Sequence, residues 1–248
     1  MRRLDAAFIA GMKSRLSVEI RRCRPLLGTF VQIAGSGTHA ADLARGIEAG
    51  FLAIAKVQQL MSFHDRESEL SRVNRLAFHK PVLVHPWTWR VLKSAREFSR
   101  KSDGIFDVTM ARQLVKWNYL PRFDSRIGTG SWRDVVFEKN RRVRFRRPLT
   151  IDLGGIAKGF AVDRAVEALK REGLTAGLVN AGGDLRAFGS GSQLVHVRYP
   201  AHPMRVAGAL RLRERALATS GIYFARRRHR GRCVSPLLDG RTGRTARN

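Results

Sequence analysis

Asp152, Gly154, Gly155 and Lys158 stand together in one short stretch, and their types suit the holding of a diphosphate. An apolar, strand-like run reaches Asp152 and gives way to two glycines. An amphipathic helix follows, with Ile156, Phe160, Ala165, Val166 and Leu169 at helical spacing and Gly173 placed to end it. Glycines at such a turn let the backbone come close to a ligand. The helix start offers free N–H groups and a partial positive charge, both matched to phosphate oxygens. Lys158 adds a full charge at the same place, and Asp152 sets a carboxylate beside it. The order is neither that of a Walker A loop nor G-x-G-x-x-G. The same residues also suit a helix entry whose glycines serve tight packing.

A second glycine turn follows. Leu178-Val179 reads as a short buried strand, and Asn180, Gly182, Gly183 and Asp184 read as the loop at its end. Strand, helix, strand and polar mouth make a βαβ-like order, and such units set ligands at the C-terminal ends of strands. An ordinary turn is the alternative. Earlier in the chain, Asp107 sits among the apolar residues Ile105, Phe106 and Val108. A carboxylate there is either a turn residue with a satisfied hydrogen bond or a polar handle on a ligand.

Four more segments complete a pattern: Arg24–Val31 with its Leu27-Gly28-Thr29, Met61–Asn74, Ala218–Gly221, and Ser235–Gly243. In this order, with the two glycine turns and the Gly104–Thr109 segment between, the chain resembles the ApbE family of FAD:protein FMN transferases. The resemblance covers residues 24–243. It implies an FAD substrate, a divalent metal, usually Mg²⁺, and transfer of the FMN half to a Thr hydroxyl of a partner flavoprotein, with AMP released. Such a displacement at a pyrophosphate needs metal, cationic and N–H clamps more than a strong protein nucleophile.

By position, the resemblance implies that Met61 lies against the flavin or adenine and that Ile105, Phe106 and Asp107 contact FAD. Asp152 and Lys158 match FAD-binding positions, and Leu238 matches the apolar residue that lines the FAD site. Gly155 matches the position whose backbone carbonyl ligates the metal. Glu69 and Asn74 are expected to hold the loop around Met61. No catalytic base is assigned.

Two departures stand beside these matches. Pro236 occupies the place of the family's His, and Gly240 the place of a Pro. The family pattern also continues past Thr242-Gly243 into a strand and helix that bring an Asp and a Thr to the metal, whereas the sequence ends at Asn248. A weakened or inactive transferase is therefore expected, unless a second chain supplies those ligands.

These residues need elements to carry them. Helices are expected over about 40–61, 86–101 and 156–172, and strands over 28–34, 134–138, 142–146, 149–153, 176–180, 193–199 and 206–211. With 248 residues, 44% of them hydrophobic, the chain is long enough for a sizeable core. The mixture suggests an α/β or α+β fold. The resemblance favours α+β, a single two-lobed domain over 24–248 with the FAD cleft between lobes, preceded by an extension over 1–23.

The formal charge of +27, from 47 Lys+Arg against 20 Asp+Glu, makes a nucleic-acid-binding protein the alternative from another class. A flavin-binding protein without transferase activity is a further alternative. The densest run, Arg226–Arg232, has no interleaved aromatics and suits a solvated loop. Cys23 and Cys233 lack zinc-ligand spacing. His64 suits a loop or surface position, and Asp163 a solvated or structural one. Arg2–Met12 does not read as a convincing export signal, and no run approaches the ~20 apolar residues of a membrane span. A cytoplasmic location is expected.

Overall fold

The computed structural model describes residues 18–123, 128–200, 202–222 and 225–246, so the Arg2–Met12 stretch weighed above lies outside the described residues. A long hairpin opens the fold, β1 (Val18–Leu26) and β2 (Thr29–Gly37). Its turn places Leu27 and Gly28 at φ 56° and 68°, the positive values that a two-residue hairpin turn demands. Leu27 is held there by its N–H, which donates to Gln58 Oε1 at 2.6 Å. Residues 18–23, expected to be an extension, instead form most of the outer strand of the main sheet.

Next come helix α1 (Ala40–Met61), α2 (Glu69–Leu76), β3 (Val82–Leu83), α3 (Pro86–Lys101) and α4 (Ala111–Lys116). Helix α1 buries Leu43, Ile47, Phe51, Ile54, Val57 and Met61, a stripe at three- and four-residue spacing. Helix α3 starts on a Pro, which cannot donate and is tolerated where no carbonyl awaits it. Then follow β4 (Val135–Glu138), β5 (Arg142–Phe145), α5 (Gly154–Arg171), β6 (Ala176–Ala181) and β7 (Asp184–Phe188). The chain continues through β8 (Gln193–Tyr199), β9 (His202–Leu212), β10 (Ala216–Ala218), β11 (Arg227–His229), β12 (Arg232–Val234), β13 (Leu238–Asp239) and β14 (Arg244–Thr245).

The main sheet has the order β1-β2-β6-β7-β10, antiparallel throughout. Helices α1 and α5 pack on each other and on this sheet. Phe51, Ile54, Ile33, Leu169 and Val179 are all buried in the shared core. Each such side chain contributes about 1.5–3 kcal/mol relative to exposure. A second sheet, β3-β5-β4, and three hairpins, β8–β9, β11–β12 and β13–β14, complete the α+β fold. No described helix is long and apolar enough to cross a membrane.

Three local expectations are corrected. Residues 149–153 join no sheet, and Ile151 pairs with a side chain instead of a strand. The stretch before α5 and strand β6 therefore do not form a βαβ unit, and β6 runs antiparallel to both neighbours. The Arg226–Arg232 run is not an open loop; it folds into the β11–β12 hairpin. Tyr119 pins that hairpin by donating its hydroxyl to the Val234 carbonyl at 3.0 Å.

Candidate functional site

The start of α5 is positioned by fixing the segment before it, which belongs to no sheet. Asn74, on α2, donates its amide to the Ile151 carbonyl and accepts the Ile151 N–H, both at 2.9 Å. One asparagine thus does for Ile151 what a neighbouring strand would do. The next N–H, that of Asp152, donates to the Val108 carbonyl at 2.8 Å. These three bonds fix where the Asp152 carboxylate sits. The Gly154 N–H donates to Asp152 Oδ1 at 3.2 Å. Helix α5 begins after Leu153, and the Ile156 N–H donates back to the Leu153 carbonyl at 3.0 Å, so among the described residues the Gly155 amide is the first-turn donor left for a ligand, together with the positive end of the helix dipole. Burial pushes the Asp152 carboxyl above its ordinary range, opposed in part by the Gly154 and Leu153 amides and the nearby His64 imidazole. Among the described residues this carboxylate has no ion-pair partner, and a desolvated carboxylate of that kind is a place for a cation to bind.

On one side of this turn lies the Ile105–Asp107 loop. The Phe106 ring comes so close to Gly155 that a Cβ there would lie 3.3 Å from Phe106 Cε2. Phe106 is braced edge-on by Phe98 at 6.1 Å between centroids. Ile105 is 46% exposed, an apolar side chain at the open face of the loop. Asp107 caps the short turn over Val108–Met110, with Oδ1 accepting the Thr109 N–H at 2.8 Å and the Thr109 hydroxyl at 2.7 Å. Burial raises the Asp107 pKa against these hydrogen bonds. Asp107 is thus a satisfied turn residue in the loop that packs on the helix start. The β13–β14 hairpin closes this side. Gly240 N–H donates to the Ile105 carbonyl at 2.8 Å, which brings Leu238 and Asp239 to the same loop.

On the other side, Lys158 Nζ lies 3.7 Å from Asp184 Oδ2, with both side chains partly exposed. The β6–β7 turn behind it has Gly182 and Gly183 at φ 63° and 100°. Side chains at these positions would strike Thr29 Oγ1 at 2.5 Å and Thr219 Oγ1 at 2.4 Å. Two conformational demands and two steric ones explain the Gly-Gly pair. Asn180 Oδ1 accepts the Gly183 N–H at 3.0 Å, and the Gly183 carbonyl accepts the Thr219 N–H at 3.1 Å. Segments far apart in sequence, around Thr29, Lys158, Asn180–Asp184 and Thr219, therefore meet on this flank.

A sequence profile of the ApbE family matches residues 27–248. The chain belongs to the ApbE family. An FAD:protein FMN transferase of Vibrio cholerae is 27% identical over 248 residues, covering 90% of this chain and 72% of the relative. One of Treponema pallidum is 28% identical over 192 residues, covering 69% of this chain and 52% of the relative. This chain thus spans between about half and three quarters of these two proteins' lengths. The crystal structure of the ApbE protein of Thermotoga maritima superposes with a TM-score of 0.83 at 29% identity, over 93% of this chain and 79% of that one. The flavin transferase ApbE of Vibrio cholerae gives a TM-score of 0.78 at 24% identity, over 94% and 79%, a likeness of fold.

One departure from the ApbE pattern now has a physical reason. A proline at position 240 could not donate the bond that Gly240 makes to Ile105. The backbone is also too close for a side chain: a Cβ at Gly240 would lie 2.4 Å from the Gly104 carbonyl oxygen and 2.6 Å from Asp107 Cβ. Gly240→Ala is expected to push the Ile105–Asp107 loop away from the α5 start and to weaken FAD binding about tenfold or more. Titration of FAD against the variant checks this, and unchanged affinity would detach the β13–β14 hairpin from the site. Nothing in the structure explains Pro236.

Other expected residues fall differently. Met61 is only 3% exposed, and its side chain is in the core at the end of α1. Leu238 is half-buried in β13, opposite Thr245, and reaches the Ile105 loop through its own hairpin. Glu69 and Asn74 do not hold the loop after Met61. Glu69 accepts the His85 N–H at the entry to α3, and Asn74 holds Ile151. The loop is instead closed by two serines: the Ser68 hydroxyl donates to the Ser62 carbonyl and the Ser71 hydroxyl to that of Asp65, both at 2.6 Å. Ser68 was legible as an N-cap residue, three before the Ser71 N–H it accepts at 3.1 Å. Asp163 is structural, paired with Arg186 at 2.7 Å.

Proposed function

We propose that this chain transfers FMN from FAD to a Thr hydroxyl of a partner flavoprotein, with AMP as the leaving half. The convergence of Asp107, Asp152, the α5 N-terminus and Lys158 with two glycine-bearing turns carries this reading, and the family supplies the reaction. FAD would lie in a cleft over the start of α5. The Gly155 amide, the positive end of the α5 dipole and Lys158 suit its diphosphate, and the Ile105–Phe106 loop and Leu238 offer apolar surface to its rings.

The acceptor oxygen forms a bond to the FMN phosphorus while the anhydride P–O bond breaks. AMP leaves with the bridging oxygen, and the hydroxyl proton passes to water. A phosphate monoester with a second pKa of about 6 leaves without help from a strong acid. The chemistry therefore asks the protein mainly for placement and for charge opposite the diphosphate. A histidine in the place of Pro236 is not required by that argument.

Among the described residues, no three His, Cys, Asp or Glu side chains come together to hold a metal. Mg²⁺ needs no such cage, since it commonly takes one or two carboxylates and fills its octahedron with phosphate oxygens and water. The hard oxygen of Asp152, desolvated and without an ion-pair partner among the described residues, fits that mode, with the Gly155 carbonyl as the backbone ligand. When bound, the ion would neutralise charge developing on the diphosphate.

Lys158→Ala is expected to weaken FAD binding by about 1.5–3 kcal/mol, the worth of a charge-assisted contact. Isothermal titration with FAD checks it, and an unchanged dissociation constant would remove Lys158 from the cradle. The reaction itself is tested by incubating the protein with FAD, Mg²⁺ and a Thr-containing flavoprotein fragment, followed by intact mass. An adduct of FMN mass with stoichiometric AMP supports transfer. FAD binding with no adduct under any divalent metal would leave a flavin-binding protein.

A further inference from the structure

Next to the proposed flavin site lies a second cavity, of about 1010 Å³, whose lining includes Lys116, Arg226, His229, Arg230, Arg232 and Arg244. Its walls are helix α4, the β11–β12 hairpin and the end of the β13–β14 hairpin. No Asp or Glu lines it among the described residues. None of its five Lys and Arg side chains forms an ion pair among those residues either. The neighbouring Arg227 shows the contrast: it is spent on the Asn118 carbonyl at 2.7 Å and on the face of Tyr119 at 4.6 Å. Inside the lining, His229 Nε2 is buried with no hydrogen-bond partner among the described residues. Buried polar atoms are rarely left so, and an orphan among convergent cations marks a place for an external partner.

We propose that this cavity docks an acidic segment of the protein acceptor, an inference that rests on the flavin-transfer reading. Three observations select that occupant. The cations converge on a concave space too large for a single small anion, and a peptide presenting several carboxylates matches both its size and its charge. Gly243 and Arg244 line the cavity, and they belong to the turn that starts at Asp239 and ties to Ile105 through Gly240. A segment held here is thereby brought alongside the α5 start. Among the described residues, the aromatic rings in the lining are Trp117 and His229, and Tyr119 is covered by Arg227, so these residues offer successive bases no stacking platform.

The test uses a fluorescein-labelled oligo-glutamate peptide, read by anisotropy against the full chain at low and high salt. The expected result is salt-sensitive binding that Arg230→Glu/Arg232→Glu weakens about tenfold or more, with FAD affinity unchanged. Should that variant lose FAD binding, Arg230→Gln/Arg232→Gln replaces it, and a smaller but clear weakening is expected. No binding of the peptide, or equal binding by the charge-altered variants, overturns the proposal. An oligonucleotide of equal charge that binds more tightly and displaces the peptide also overturns it, assigning the cavity to nucleic acid. Failure of the flavin-transfer reading appears separately, as absent AMP release with peptide binding intact.

Discussion

Replacing Asp152 by Asn should abolish most turnover while leaving the protein as stable as before or more so. The carboxyl is pushed above its ordinary range by burial, so at neutral pH the ionised form is worse off folded than unfolded. The sign follows: a raised carboxyl pKa contributes stability only while the group is protonated, and that contribution is lost as pH rises through the unfolded and then the folded pKa. An amide removes the penalty and can still accept the Gly154 N–H. On the proposed reading the cost falls on function, because a cation at the diphosphate would lose its anionic partner. Mg²⁺-dependent AMP release should fall by about a hundredfold or more. Thermal unfolding and AMP release measured together check both halves. Retained turnover would place the metal elsewhere, and a large fall in melting temperature would make Asp152 a structural residue.

Asn74→Ala should be the most destabilising single change near the site. It strands the N–H and C=O of fully buried Ile151, each of which now bonds to the Asn74 side chain at 2.9 Å. Leaving two buried backbone groups unpaired costs about 2–4 kcal/mol in sum. For a chain of this size that lowers the melting temperature by roughly 5–15 °C. FAD affinity should fall too, since Asp152 is the next residue and loses its alignment. Asn74→Asp separates the effects, because it keeps one acceptor and loses the donor, and its stability should lie between the two. A melting temperature unchanged in Asn74→Ala would mean that water or the backbone can replace the pair.

Much of the architecture was legible because it is local. The apolar stripe of α1, the proline that opens α3 and the helical spacing after Gly155 each record a periodicity that a few neighbouring residues enforce. The boundaries expected for α1 and α3, 40–61 and 86–101, are those observed. The exception among the strands, 149–153, is informative. Its apolar run is buried as expected at Leu149, Ile151 and Leu153, but sequence pattern cannot tell a segment paired to a strand from one paired to an asparagine on α2.

The same division runs through the site. The sequence by itself determined that Asp152, two glycines and Lys158 open a helix, that Asn180–Asp184 is a glycine turn, and that Asp107 stands in an apolar loop. The motif order identified the family. Only the tertiary structure decided which of these meet. It set Phe106 on Gly155, Thr29 and Thr219 against the β6–β7 turn, and Gly240 against Ile105, and it put Met61 in the core. It also turned the Arg226–Arg232 run from a solvated loop into the wall of a cationic cavity. The physical reason is common to all of these: a close approach or a side-chain-to-backbone bond between residues far apart in the chain leaves no periodicity in the sequence. Where it leaves anything, it is a glycine or an asparagine whose purpose is visible only once its partner is in place.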